Sequence, residues 1–103
     1  MSNEPEIEWP EDYFARREIE TPDKGWLDVV VRLPNGARHQ LCFYDLARVA
    51  QALSDARANN QTCFGEPSLV LVDEVNTAVI LDSVVELFRT GFFERLTLPR
   101  DDR

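Results

Sequence analysis

The sequence predicts an α+β domain, a two-layer sandwich in which a mixed sheet of three to five strands carries two helices on one face. Three observations predict it. Residues 26–33 alternate apolar and polar side chains, the period of a strand with one buried face. Residues 45–58 and 77–90 repeat apolar side chains at i, i+3, i+4 and i+7, the period of an amphipathic helix. Residues 69–72, between those helices, form a short continuous apolar run, which suits a buried strand. The expected order is β-β-β-α-β-α, with residues 96–98 as a candidate final strand. A chain of 103 residues fits one domain. The boundaries read as an arm at 1–12, a domain at 13–99 and a tail at 100–103.

Residues 1–12 hold two prolines and five acids, the composition of an extended arm. Glu4, Glu6 and Glu8 alternate, so an extended chain shows all three on one side. Residues 13–20 suit a short helix or an edge strand. The following Thr21-Pro22-Asp23-Lys24-Gly25 reads as a hairpin loop, with Pro presetting the first turn position and Gly accepting a positive φ. That favours the strand.

The strand at 26–33 buries Leu27, Val29, Val31 and Leu33, and Pro34-Asn35-Gly36 turns the chain. A two-residue Asn-Gly loop would set Val31 against Gln40. A three-residue loop instead sets Leu33 against Ala37, Val31 against His39, Val29 against Leu41 and Leu27 against Phe43. Only the second keeps apolar beside apolar, and register follows the buried face. Gly36 is therefore expected at the bulge position.

Asp45 is a good N-cap for the first long helix, with Tyr44 and Val49 as a hydrophobic staple. Its expected buried stripe is Leu46, Val49, Ala50, Leu53 and Ala56 or Arg57. The run at 69–72 is expected in the centre of the sheet, since continuous apolarity implies burial on both faces. Asn76 caps the next helix with Val75 and Ile80 as staple, and Gly91 suits its C-terminal left-handed position. Both long helices are expected on the face of Leu27 and Val29, leaving Trp26, Asp28, Val30 and Arg32 on an open face.

Charge limits the partners. The net charge is −8, and residues 1–24 carry eight acids against three bases, a balance of −5. Phosphate contacts need cations, so nucleic acid and anionic membranes are disfavoured and a basic protein surface, or a second copy, is the expected partner. No stretch approaches the ~20 apolar residues of a membrane span. The N-terminal residues lack the apolar run of a secretory leader. A cytoplasmic location is expected, with Cys42 and Cys63 reduced.

Candidate chemistry is sparse. Asp73 and Glu74 follow the expected central strand, where open α/β sheets place ligands, and Asp45 ends the neighbouring one. Asp45 and Asp73 together suit a divalent cation, against the plainer reading of a helix cap and a solvated strand end. His39, Cys42 and Cys63 lack the close spacing of a structural zinc site, and the register puts His39 and Cys42 on opposite faces. The four glycines all fall at turns or helix ends and make no phosphate loop. With one His, one Lys and no constellation, no enzymatic activity, resident metal or cofactor is expected.

The aromatic residues carry more information. Trp9, Tyr13 and Phe14 adjoin the acidic arm, and Trp26 and Val30 share the open face. Aromatic side chains are enriched at binding hot spots. The alternative is that the arm docks on its own sheet and covers an edge. The partner-binding candidates are thus Trp9, Tyr13, Phe14, Glu4, Glu6, Glu8, Trp26 and Val30, and the ligand candidates are Asp45, Asp73 and Glu74. The expectation is a non-enzymatic acidic interaction module that masks a basic partner surface, in the manner of a small inhibitor or immunity protein. The alternatives are a small-molecule or divalent-metal site at Asp45 and Asp73, or a homodimeric accessory protein.

Overall fold

The hairpin of β2 (Trp26–Arg32) and β3 (Arg38–Tyr44) is the centre of the molecule. A computed structural model describes residues 3–97. The hairpin register is the expected one: Val31 faces His39, Val29 faces Leu41 and Leu27 faces Phe43. Leu33 donates its N–H to Ala37 across the three-residue loop, and Gly36 takes φ 91°, a left-handed value that costs glycine little. Strand β4 (Leu69–Leu71) pairs parallel to β3, and the sheet order is β1-β2-β3-β4. The sheet is therefore mixed and four-stranded, as the α+β class requires.

Strand β1 (Glu6–Glu8) comes from the arm. It pairs antiparallel with β2, setting Ile7 opposite Val31. Ile7 packs on the core while Glu6 and Glu8 face the other way and pair with Arg32 and Arg38. Part of the expected arm is thus an edge strand.

Residues 13–20 are helical, which corrects the expected strand. A π-helical turn (Tyr13–Arg17) runs into helix α1 (Glu18–Lys24), and Pro22 lies inside it. Gly25, expected to end a hairpin loop, is the left-handed cap of α1, donating to the Thr21 carbonyl at 2.9 Å. The Thr21 hydroxyl donates to the Arg17 carbonyl at 2.6 Å. A glycine with positive φ suits a turn and a helix end equally, which is why the local sequence misled.

Two cores flank the sheet. The first joins Leu27, Val29, Val31, Leu41 and Phe43 to Tyr13, Val75, Ile80, Val84 and Phe93. These bring helix α3 (Thr77–Arg89) and the short helix α4 (Phe92–Thr97) onto that face. Residues 96 and 97 are therefore helical, not a final strand, and Leu98 lies outside the described residues. The pair of helices on this face is α3 and α4, not the two long helices.

Helix α2 (Leu46–Ala58) lies on the opposite face, where Ala52 joins Cys42 and Tyr44 with Trp26, Val49, Phe64 and Leu69 around them. Its buried positions are Ala52 and Ala56, while Leu46 and Leu53 are exposed. Of the expected stripe, Val49 and Ala56 do face the sheet, while Leu46, Ala50 and Leu53 are exposed, because the sheet side supplies the bulk and the helix approaches on alanines. Strand β4 sits at the edge, not the centre. Its continuous apolarity reflects two cores: Val70 packs on the first, Leu69 on the second, and Leu71 is exposed.

Both long helices carry the expected caps. Asp45 accepts from the Arg48 amide and Asn76 from the Val79 amide, each at 2.8 Å.

Candidate functional site: a groove on the open sheet face

The alternation of β2 that buries Leu27, Val29 and Val31 turns Trp26, Asp28 and Val30 to the opposite face. Helix α2 covers the β3–β4 side of this face and leaves the β1–β2 side open. A groove of about 440 Å³ results there. Trp26, Asp28 and Val30 line it from β2 and Gln40 from β3, while Glu8, Trp9 and Pro10 close its β1 edge and Arg17 reaches in from the π-helical turn. Both tryptophans of the chain border this groove, Trp26 from the open face and Trp9 from an edge position that also packs against the first core.

Trp9 is fixed by its neighbours. Its ring stacks on Tyr13 at 4.7 Å between centroids and meets Phe14 edge-on at 5.3 Å, both favourable arrangements. Tyr13 is 1% exposed, a core residue. Thr77 donates its hydroxyl to Glu18 at 2.9 Å, so the Tyr13 hydroxyl is the donor in its 2.8 Å bond to Thr77. This relay ties the π-helical turn to α3.

The electrostatics of the groove are mixed. Glu8 pairs with Arg38, and Glu6, just outside, pairs with Arg32. The hydrogen bond and charge of Glu6 push the Arg32 guanidinium up from its ordinary value. Asp28 stands opposite Cys42 across the hairpin. Burial first, and then Asp28, push the Cys42 thiol up to about 12, so at neutral pH it is a protonated, unreactive group. Burial likewise raises Tyr44, opposed by Arg48, whose guanidinium carbon lies 5.6 Å from the ring centroid.

The structure brings four of the partner-binding candidates together: Trp9, Glu8, Trp26 and Val30. Phe14 is exposed beside Trp9, and Glu6 is on the same face one pair along β1. Glu4 precedes β1, and Tyr13 is enclosed. Asp28, Arg17, Pro10 and Gln40 belong to the groove but were not singled out from sequence. The signal for Asp28 was present: a carboxylate in an apolar strand, two residues from Trp26 and from Val30, on the same face.

The ligand candidates sit elsewhere. Asp45 is occupied as a helix cap, and its carboxylate lies against Gly25, where a Cβ would come within 2.8 Å of Oδ1. Glu74 accepts from the Asn76 side chain at 2.8 Å. Asp73 borders a hollow of about 340 Å³ with Leu46, Leu71, Val72 and Val79. Among the described residues, no three His, Cys, Asp or Glu side chains converge as a metal site. His39 faces the first core, with its ring 5.6 Å from Phe93 and its Nε2 buried without a partner. Cys42 faces the second core and Cys63 is exposed. Among the described residues no helix is long and apolar enough to cross a membrane.

Comparison with known proteins adds no relative: no family model matches the chain, and neither a curated protein nor a solved structure matches it.

Proposed function

We propose that this chain is a non-catalytic interaction module that receives a basic segment of a partner protein in the groove of its open face. The observation that supports the reading is the convergence of Trp9, Trp26, Glu8 and Asp28 on one hollow. The Trp26 face attracts Lys and Arg side chains and Asp28 adds a directed acceptor, while Trp9 and the Arg38-paired Glu8 shape the rim. The overall charge of −8 would steer a basic partner towards it. By physical type this remains the economy of a small inhibitor that masks a basic surface. The reading is non-catalytic because the one histidine and the buried cysteine stand on opposite faces, with the thiol held protonated.

The arm contributes less free charge than its composition implies, because Glu6 and Glu8 already pair within the chain. Deleting residues 1–20 does not separate binding from folding either, since Ile7 and Tyr13 pack in the core. Point variants do. Asp28→Asn and Asp82→Asn each remove one carboxylate, the first in the groove and the second on exposed α3. In affinity capture from a lysate of the source organism, a basic protein retained at low salt by the wild type and by Asp82→Asn, but lost at high salt and by Asp28→Asn, is the expected result. Retention indifferent to salt and to Asp28→Asn contradicts the reading.

A further inference from the structure

A second surface lies on the opposite side of the molecule from β1. We infer that the free edge of β4 is a strand-addition site for an extended segment of another protein, a short apolar run flanked by basic residues. The backbone supplies the first argument. Cys42 donates to the Ser68 carbonyl, and Val72 donates to the Tyr44 carbonyl. In a parallel pair these bonds turn alternate residues towards the neighbour. The N–H and C=O groups of Leu69 and Leu71 therefore face outward, and among the described residues β4 ends the sheet. An unpaired edge of this kind is a template for another strand.

The side chains say what that strand carries. Beside the edge lies the hollow of Leu46, Leu71, Val72 and Val79, with Leu46 68% and Leu71 54% exposed. Leu71 stands on the α2 face of the sheet, and Val70 and Val72 pack on the opposite core. An added strand thus meets apolar surface on both of its faces over three residues, which calls for a continuous apolar run. Glu66 precedes the edge strand, and Asp73 and Glu74 follow it, all exposed. Residues 58–88 hold five acids and no Lys or Arg. Cations at both ends of the incoming run complement this edge.

The same charges argue against a second copy as the occupant. Antiparallel pairing of two β4 strands sets Asp73 and Glu74 of each beside Glu66 of the other. Parallel pairing sets each acid beside its own counterpart. Like charges directly opposed across strands are destabilising in either direction.

The probe is a capped heptapeptide, Arg-Thr-Val-Ile-Val-Thr-Arg, titrated into the isotopically labelled full chain and followed by amide chemical shifts. The expected perturbations cluster at residues 68–73 with Leu46 and Val79. Replacing both arginines of the peptide with glutamates is expected to weaken binding at least about tenfold. Methylating its central amide nitrogens is expected to abolish binding. Leu71→Pro removes an outward N–H and leaves the ladder to β3 intact, so it too is expected to abolish binding. Should that variant unfold, the methylated peptide still tests the backbone contribution on the unaltered protein. Shifts elsewhere, none at all, or equal binding of the methylated peptide overturn the inference. So does a mass that doubles with concentration in the wild type but not in folded Leu71→Pro, which assigns the edge to a second copy.

Discussion

Leu27, Val29 and Val31 of β2 are enclosed by α3, α4 and the π-helical turn, whereas Trp26, Asp28 and Val30, one residue along in each case, remain partly open to solvent. The two sets share a strand, a register and a hydrogen-bond ladder. They differ only in which side of the pleat they occupy and in what covers it. Three helical pieces close the first face. On the second, α2 approaches on Ala52 and Ala56 and stops over β3 and β4. The difference teaches that this fold separates stability from recognition by the pleat itself. One face can be altered for binding while the other holds the chain together.

Chemical reactivity gives the widest contrast. With Cys42 raised to about 12 from an ordinary 9.0, its thiolate fraction near pH 8 falls by about a thousandfold. Alkylation of the native protein is expected to modify the exposed Cys63 and spare Cys42, with both modified in denaturant. Equal labelling of both would show that the α2 side of the second face is wet. The linkage has a definite sign. The folded thiol holds its proton above the pH where the unfolded one releases it. Its contribution is complete below about pH 9 and is lost between about 9 and 12, and Cys42→Ala is expected to flatten that slope.

Truncation compares the faces directly. Phe43→Ala empties a fully buried site and is expected to cost about 3–5 kcal/mol by urea denaturation, whereas Val30→Ala on the groove is expected to cost under about 1 kcal/mol. Similar costs would break the comparison. Gly25→Ala tests the junction between α1 and β2. Gly25 has φ 79°, and a Cβ there meets the Asp45 carboxylate that caps α2. The expected loss is about 1–3 kcal/mol, through left-handed strain and a displaced cap.

The smallest effect is expected from Glu6→Gln. Its pair with Arg32 is half exposed, so the loss in urea denaturation is the smallest of the series and vanishes in high salt. A larger, salt-resistant loss would mean that the arm is anchored by its charges more than by Ile7.

What was legible in the sequence was local and redundant. The hairpin register followed from one apolar face and one loop length, and the caps Asp45 and Asn76 each preceded a periodic run. What was not legible depended on competition between readings or on distant packing. Thr21-Pro22-Asp23-Lys24-Gly25 satisfies a turn and a helix end alike, and the π-helical turn before it is set by Tyr13 reaching Thr77, 64 residues away. Three residues, Glu6-Ile7-Glu8, are too few for alternation to distinguish an edge strand from a tail. The position of β4 was misread because apolar residues on both sides suit a central strand, and also an edge strand between two small cores. For the groove, the sequence supplied Trp26 and Val30 on one face and Trp9 and Glu8 on the arm. Their union required the pairing of β1 with β2.

Because both tryptophans border the groove, with Trp26 on its open face, their emission responds to its occupancy. The most direct test of the central claim is a titration with an arginine-rich decapeptide followed by that emission. The account predicts a saturable change at low ionic strength that is suppressed in about 0.5 M salt, where screening shortens the reach of exposed charges. It also predicts weakening by Asp28→Asn and not by Asp82→Asn, two variants of equal net charge. An emission that stays unmoved, or equal weakening by the two variants, would contradict it.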